Sequence, residues 1–222
     1  MRVAAIVVAA GRGERLGHSL PKAYVPLCGR TLLAHAVAAL AASDRVDAVL
    51  PVLPPGMELP ADAHGAKLLP AVPGGDRRQD SVAAGLAALP DGVEWVAVHD
   101  AARALVRPAA VTRVVDEAIR HGAALLAVPL RDTVKRVRAG VVVETPARDE
   151  CWAAQTPQVF GIALLREALE KARAEGRTGT DCAQLVEALG VRVRVVAGDP
   201  DNWKITTPED LAAAERVLEA RR

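Results

Sequence analysis

A glycine-rich loop with two cations follows the first apolar run of the sequence. Residues 9–24 read AAGRGERLGHSLPKAY. Gly11 and Gly13 allow the backbone to approach a ligand closely, and successive N–H groups in such a loop can bind an anion. Arg15 and Lys22 add two positive charges, so the loop is typical of a polyphosphate site. A solvated surface loop is the alternative.

An aspartate ends another apolar run, in the segment VHDAAR at residues 98–103. A buried strand that ends at Asp100 would place its carboxylate at the ligand-binding edge of an open α/β sheet. A carboxylate there can hold Mg²⁺, which often shares its oxygen ligands with phosphates. A helix cap is the alternative role. We expect His99 to be packed or hydrogen-bonded rather than a ligand, and Arg103 to face an anionic substrate.

A pair of glycines precedes a predicted helix in the segment PGGDRRQDS at residues 73–81. Gly74 and Gly75 permit close approach to a flat base, and Ser81 can present a hydroxyl at the start of the helix. A turn followed by a helix cap is an equally good interpretation.

A lysine lies in the segment DNWKITTPED at residues 201–210. Lysine is rare beside arginine in this chain, so Lys204 and Lys22 are candidates for positions that require a compact point charge. Asp201 is either a second metal ligand or a turn residue, and the turn is slightly favoured.

A dinucleotide-binding fingerprint begins in the first loop but is not completed. The pattern GxGxxG starting at Gly11 requires glycine at position 16, where Leu16 stands, and the next glycine is Gly17. The apolar run at 46–53 also ends without the acidic residue that would bind a ribose, and the chain contains no Gly-Lys-Ser/Thr phosphate loop. These departures disfavour a hydride-transferring enzyme.

The composition excludes several other classes of protein. The 222 residues carry 28 Lys+Arg against 27 Asp+Glu, and this balance argues against a nucleic-acid binder driven by bulk electrostatics. The longest apolar runs, 3–10 and 31–42, are too short for a membrane span, and the N-terminus lacks the pattern of a signal peptide. Three widely spaced cysteines fit a reducing cytoplasm better than a metal or disulfide framework.

Apolar runs and helical segments alternate along most of the chain. Strands are predicted at 2–10, 46–53, 67–72, 93–99, 123–129 and 191–196. Helices are predicted at 31–42, 80–89, 108–121, 161–174, 181–189 and 207–221. This order indicates one α/β domain over residues 1–222, with a Rossmann-like, doubly wound and mostly parallel sheet.

The alternation is interrupted by an inserted β-arm at about residues 131–152. Short extended runs at 132–138 and 141–145 flank a hairpin turn at Ala139–Gly140. An isolated hairpin is marginally stable in water. We therefore expect the arm to pack on something else, and a partner subunit is a good candidate.

Together, these segments resemble the 2-C-methyl-D-erythritol 4-phosphate cytidylyltransferase family of the non-mevalonate isoprenoid pathway. The resemblance runs nearly end to end through AAGxGxR…PKxY, GGDxRxxS, VHDAAR, RDTxKR, WxxQTPQxF, TD and DNxKIT-PED, in that order. There are two departures. The family usually has proline where Ala104 follows Arg103, and glutamate where Cys182 follows Asp181.

The resemblance implies that CTP and a sugar-alcohol phosphate react to give a CDP-alcohol and pyrophosphate, with Mg²⁺ as the cofactor. The catalytic cations around the triphosphate would be Arg15, Lys22 and Lys204. The nucleotide would be bound by Ala10, Gly11, Gly75, Asp76, Ser81 and Asp100, of which Asp100 would also bind the metal. The alcohol phosphate would be held by Arg103, Thr133, Arg148, Thr156 and Thr180.

The family dimerises through its arm, so the resemblance also implies a homodimer in which the partner's arm completes each active site. Thr133 and Arg148 would then act across the interface. The nearest alternative function is the same transfer to another alditol phosphate, such as ribitol 5-phosphate. A nucleotide-binding regulator without turnover is a further alternative, although a regulator has no need of cations at the α-phosphate.

Overall fold

The structure of the protein is a computed structural model that describes residues 1–11 and 20–221. Its strands are β1 (Arg2–Val8), β2 (Pro26–Leu27), β3 (Arg30–Thr31), β4 (Ala48–Leu53), β5 (Val72–Pro73), β6 (Val93–Asp100), β7 (Ala123–Pro129), β8 (Arg136–Arg138), β9 (Val141–Glu144), β10 (Trp152–Gly161) and β11 (Arg194–Ala197). Its helices are α1 (Leu32–Ala41), α2 (Arg78–Ala87), α3 (Pro108–His121), α4 (Ile162–Ala174), α5 (Cys182–Glu187) and α6 (Pro208–Ala220).

Seven strands form one sheet in the order β11-β7-β10-β6-β1-β4-β5. β1 pairs in parallel with β4 and β6, β4 with β5, and β7 with β11. β10 alone among these seven strands runs antiparallel to its neighbours, β6 and β7. The sheet is therefore doubly wound and mostly parallel, which confirms the predicted fold class.

Helices cover both faces of the sheet, because the side chains of each central strand alternate between two apolar clusters. Ala5 and Val7 of β1 pack in the cluster that includes α1 and α3. Ala4 and Ile6 pack in the opposite cluster with α2, α4 and α5. A third, smaller cluster joins Ile205 and α6 to the segment that follows β6.

Local capping signals fix several helix starts. Thr31 accepts a hydrogen bond from the Ala34 N–H at the start of α1. Thr207 and Asp210 form a capping box at the start of α6, where Pro208 occupies the first turn. The predicted bounds of α3 and β7 coincide with the observed ones. α2 begins at Arg78, slightly earlier than predicted.

Other elements differ more from the sequence prediction. β10 was not predicted as a strand, although it lies in the middle of the sheet. Pro157 interrupts its ladder, and the register shifts between Ala154 and Gln158. Proline cannot donate to a ladder and is tolerated at such an irregularity. The predicted run at 132–138 is shorter, because β8 begins at Arg136, and it pairs with β9 as a hairpin.

Within the described residues, no helix combines the length and the apolar character that a membrane span requires.

Candidate functional site

A pocket opens beside the carboxyl ends of β1 and β6, next to the start of α2. The structure brings together eight of the residues predicted to bind or act on the nucleotide. They are Ala10, Gly11, Lys22, Gly75, Asp76, Ser81, Asp100 and Lys204. Arg15 lies outside the described residues. The pocket thus unites four segments that are far apart in the sequence.

The glycine pair packs where a side chain has no room. A Cβ on Gly74 would lie 2.5 Å from the Ala10 Cβ, and one on Gly75 would lie 2.6 Å from the Asp80 Cβ. The buried Ser81 hydroxyl accepts a hydrogen bond from the Gly75 N–H at 3.2 Å. This turn therefore presents main chain, rather than side chains, toward the pocket.

Asp100 is the charged centre of the site. Its side chain lies at the end of β6 and is mostly buried. Arg78 Nε donates to one carboxylate oxygen at 2.9 Å, and Lys204 Nζ donates to the other at 2.8 Å. The two partners differ in exposure, because 22% of the Arg78 side chain and 44% of the Lys204 side chain are accessible to solvent.

The two cations determine the ionisation of this carboxylate. Burial alone would raise the pKa of Asp100, but the charges of Arg78 and Lys204 hold that pKa well below its usual range. Burial works against the charge of Arg78 as well, yet attraction to Asp100 raises the Arg78 pKa above its ordinary value. Asp100 and Arg78 are therefore both charged at neutral pH.

A chain of hydrogen bonds fixes the main chain at Asp100. Burial lowers the pKa of His99 to about 4, so its imidazole is neutral at physiological pH. Nε2 of His99 lies 3.2 Å from the Arg103 carbonyl, which can only accept, so Nε2 carries the proton. Nδ1 then accepts from the Thr156 hydroxyl at 3.0 Å, and the Thr156 oxygen accepts from the Asp100 N–H at 3.1 Å. His99 is thus a hydrogen-bonded core residue, as the sequence predicted.

A second pocket adjoins the first. Its lining includes Arg103, Thr156 and Thr180, three of the residues predicted to hold the alcohol phosphate. Arg78, Asp100 and Lys204 line both pockets. The three charged residues therefore form the common wall where ligands of the two pockets would meet.

Thr133 and Arg148 are not brought into this arrangement. Both are exposed in the hairpin arm, and neither is among the residues that line the two pockets of the described chain. Nη1 of Arg148 donates to the Arg131 carbonyl at 3.1 Å, within the same arm. Their predicted contact with substrate is therefore not made within the described part of this chain.

Asp201 has partners other than a metal. Its carboxylate lies 3.3 Å from Arg221 and 3.7 Å from Arg107, and its N–H donates to Asp199 in a turn. Across residues 1–11 and 20–221, no group of three or more His, Cys, Asp or Glu side chains is arranged to hold a metal ion. A metal bound at Asp100 would therefore need further ligands from a bound substrate or from water.

Arg78 belongs to the site although it was given no role on sequence grounds. It is the first residue of α2, and its Nη1 donates to the Cys182 sulfur at 3.3 Å. Among the described residues, Asp100 is the only carboxylate within ion-pair distance of Arg78. The available signal was the arginine of the motif GGDxRxxS, which is Arg78.

These features define the class of the protein. A doubly wound sheet that carries a glycine-lined pocket and paired cations at its carboxyl edge is a nucleotide-binding α/β protein. Residues 3–220 match the family model described as IspD, 2-C-methyl-D-erythritol 4-phosphate cytidylyltransferase. The chain belongs to this family of nucleotidyltransferase enzymes.

Individual relatives agree with this assignment over nearly their whole lengths. The chain is 44% identical to a 2-C-methyl-D-erythritol 4-phosphate cytidylyltransferase of Desulforamulus reducens, covering 99% of this chain and 97% of the relative. It is 47% identical to a protein of the same name from Rhodococcus jostii, covering 98% and 95%. The crystal structure of the Thermus thermophilus protein of that name superposes with a TM-score of 0.83 at 38% identity, covering 99% of this chain and 100% of that one.

Proposed function

We propose that this protein transfers the cytidylyl group of CTP to 2-C-methyl-D-erythritol 4-phosphate, giving 4-diphosphocytidyl-2-C-methyl-D-erythritol and pyrophosphate. One observation carries the proposal within the site: two adjoining pockets share a wall made of Arg78, Asp100 and Lys204. Two anionic substrates that must react with each other need such a meeting place, and family membership supplies their identities.

The reaction asks for positioning and charge neutralisation more than for a nucleophilic side chain. An oxygen of the alcohol phosphate forms a bond to the α-phosphorus of CTP while the bond to the bridging oxygen of pyrophosphate breaks. Holding the two reactants in line and neutralising the charge at the α-phosphoryl group are the main contributions a protein can make. A phosphate monoester is already a nucleophile, so Ser, Cys or His is not required for attack.

The first pocket would take the nucleotide. The main chain of Ala10, Gly11, Gly75 and Asp76, together with Ser81, supplies neutral donors and acceptors that suit a base. Lys22 and Lys204 enter the same pocket and would contact the triphosphate. We also assign Arg15 to this group of cations, on the basis of its position in the first loop.

Magnesium is the proposed cofactor, with Asp100 as its protein ligand. The ionised carboxylate faces the pocket, and Mg²⁺ commonly uses one carboxylate together with substrate phosphates and water. Both carboxylate oxygens are bonded to cations in the structure. The more exposed Lys204 is the partner that would leave Asp100 for a phosphate. When bound, the ion would neutralise charge on the polyphosphate.

The second pocket would take the alcohol phosphate, with Thr180 and Thr156 among its polar groups. The Thr156 proton already bonds to His99, so its contact with substrate would use the remaining acceptor capacity or require the hydroxyl to rotate. Arg103 lines the same pocket, and its two terminal nitrogens each donate to a main-chain carbonyl. A guanidinium has five N–H donors, so other N–H groups of Arg103 remain for a phosphate.

A homodimer would complete this pocket through the arm. The hairpin exposes a run of valines, with 65% of Val141, 53% of Val142 and 47% of Val143 accessible. A two-stranded hairpin with an apolar surface gains stability when it packs on another protein surface. Packing on a second copy would bring Thr133 and Arg148 to the partner's site. The three free cysteines fit a cytoplasmic enzyme.

The deciding experiment measures pyrophosphate release. CTP is offered with 2-C-methyl-D-erythritol 4-phosphate, with ribitol 5-phosphate, and without an acceptor. We expect release with the first acceptor and a specificity constant, kcat/KM, at least about tenfold lower with the second, because an altered acceptor loses contacts worth about 1–3 kcal/mol. Preference for ribitol 5-phosphate would identify the alternative transferase. CTP binding without release from any acceptor would identify a regulator.

A further inference from the structure

Arg103 joins two separate segments beside the site. Its Nη1 donates to the Asn202 carbonyl at 2.8 Å, and its Nη2 donates to the Ala154 carbonyl at 3.0 Å. Asn202 precedes Lys204 by two residues, whereas Ala154 belongs to β10. The planar guanidinium has the shape to hold two such carbonyls at a fixed spacing, which the point charge of lysine cannot do.

The segment around Lys204 is fixed on both sides. The Asn202 side chain is buried, and its amide nitrogen donates to Gln155 Oε1 at 3.1 Å and to the Thr156 carbonyl at 3.0 Å. On the other side of Lys204, the Ile205 N–H donates to a main-chain carbonyl in the turn after β6 at 2.9 Å. The backbone of Lys204 is therefore anchored to both β10 and the end of β6.

The side chain of Lys204 needs such an anchor. It is long and flexible, and almost half of it is exposed. Its Nζ lies on the wall shared by the two pockets, where it contacts Asp100. A displacement of about 1 Å at a reacting centre can cost roughly 100-fold in rate, so the position of the Lys204 backbone affects how well Nζ meets the substrate.

We propose that Arg103 is a positioning residue for Lys204, because it fixes the loop that presents this lysine to the reacting phosphates. The proposal rests on the proposed function, because it assumes that Lys204 acts in the transfer. Under this proposal, Arg103 affects the rate of the chemical step. A phosphate ligand would instead act first on the binding of the acceptor.

The test is a double-mutant cycle on pyrophosphate release. Arg103→Ala and Arg103→Lys are each made in the wild-type protein and in Lys204→Ala. In the wild-type background we expect kcat to fall roughly 10- to 100-fold for Arg103→Ala, with both KM values changing less than about threefold. In the Lys204→Ala background, the same change should lower kcat less than about twofold, because its effect passes through the missing lysine.

The conservative variant and a matched arginine complete the design. Arg103→Lys keeps the charge but loses the fork, so we expect a kcat between those of the wild type and Arg103→Ala. Arg113 donates to the Ala197 carbonyl and ties α3 to β11 outside the site. Arg113→Gln should leave both kcat and the KM values within about twofold of the wild type.

Two results would overturn the proposal. A KM for the alcohol phosphate that rises tenfold or more while kcat is retained would make Arg103 a direct ligand. An equal loss of kcat in both backgrounds would make its effect independent of Lys204. If circular dichroism shows that Arg103→Ala does not fold, Arg103→Lys replaces it in the double-mutant cycle. Wild-type turnover is measured first with each acceptor, so a failure of the proposed function is recognised separately.

Discussion

Asp100 has two positive partners that are not equivalent. Arg78 is the less exposed partner, whereas Lys204 is half-exposed on the wall of both pockets. A buried charge pair is costly to separate, because the group left behind loses its compensation. Lys204 is therefore the partner that can exchange Asp100 for a phosphate when substrate binds, while Arg78 keeps the carboxylate ionised and oriented.

Removing either lysine of the first pocket should abolish most turnover without unfolding the protein. Lys22→Ala and Lys204→Ala each delete a cation aimed at developing negative charge, and such losses typically cost about 10²–10³ in kcat. Pyrophosphate release at saturating CTP measures the effect. Lys171→Ala, an exposed lysine in the last turn of α4, serves as the control. A variant that keeps more than about a third of wild-type turnover would remove that lysine from the catalytic group.

Substituting Asp100 with asparagine should weaken the engagement of Mg²⁺. A neutral amide is a poorer ligand than a carboxylate, so the concentration of Mg²⁺ that gives half-maximal activity should rise, by about 10- to 100-fold. Activity should recover in part at high Mg²⁺. Asp116→Asn breaks an ion pair between α3 and Arg45 and is the matched control. An unchanged dependence on Mg²⁺ would restrict Asp100 to ordering Arg78 and Lys204.

At the scale of elements, close packing of α2 on the sheet sets the position of the site. α2 begins with Arg78 and carries Ser81 in its first turn, so any shift of this helix moves both residues. Gly85 lies on the face of α2 that meets β1. A Cβ added there would lie 2.8 Å from Cγ2 of Ile6, a residue that is fully buried.

Gly85→Ala should therefore destabilise the protein, although alanine favours a helix more than glycine does. The gain in helix propensity is about 1 kcal/mol, whereas overpacking a filled core costs about 1–3 kcal/mol. We expect a net loss of roughly 1 kcal/mol in the free energy of unfolding, measured by urea titration. Ala83→Gly, on the exposed face of the same helix, measures the effect of helix propensity without a change in core packing. A gain in stability for Gly85→Ala would show that α2 has room to move.

At the scale of the whole molecule, the arm is a part of the chain that a single subunit leaves uncovered. Its strands β8 and β9 form a separate two-stranded sheet, and every residue of the two strands is exposed. In a symmetric dimer, the hairpin of each copy would pack on the other copy. The proposed contribution of Arg148 to the partner's site follows from the same geometry.

Mixing two inactive proteins tests this arrangement. One carries Lys22→Ala with an intact arm, and the other carries Arg148→Ala with an intact nucleotide pocket. A mixed dimer would have one site with both lesions and one with neither, so random reassortment should restore about a quarter of wild-type activity. Recovery is measured as pyrophosphate release after subunit exchange has been confirmed by mass. No recovery would place Arg148 in its own subunit's site or outside any site.

Much of the fold was predictable because its signals are local. Apolar runs such as the one in β1 indicate strands buried on both faces, and Pro108 and Thr207 mark helix starts through neighbours only a few residues away. The segments of the first pocket were predictable for a related reason. Segments that follow strand ends, such as those with Gly75 and Asp100, meet at one edge of a parallel sheet whatever their distance along the chain.

Features that depend on contacts between distant residues were decided only by the tertiary structure. β10 contains polar residues and a proline, yet residues 155–160 are buried inside the sheet. Their polar side chains find partners elsewhere, because Gln158 bonds to Asp181 and Thr156 to His99. The Arg78–Asp100 pair joins residues 22 positions apart, and the Arg103 clamp reaches a main-chain carbonyl 99 positions away. The periodicity of a sequence does not predict such pairings, because they form only when the sheet is assembled.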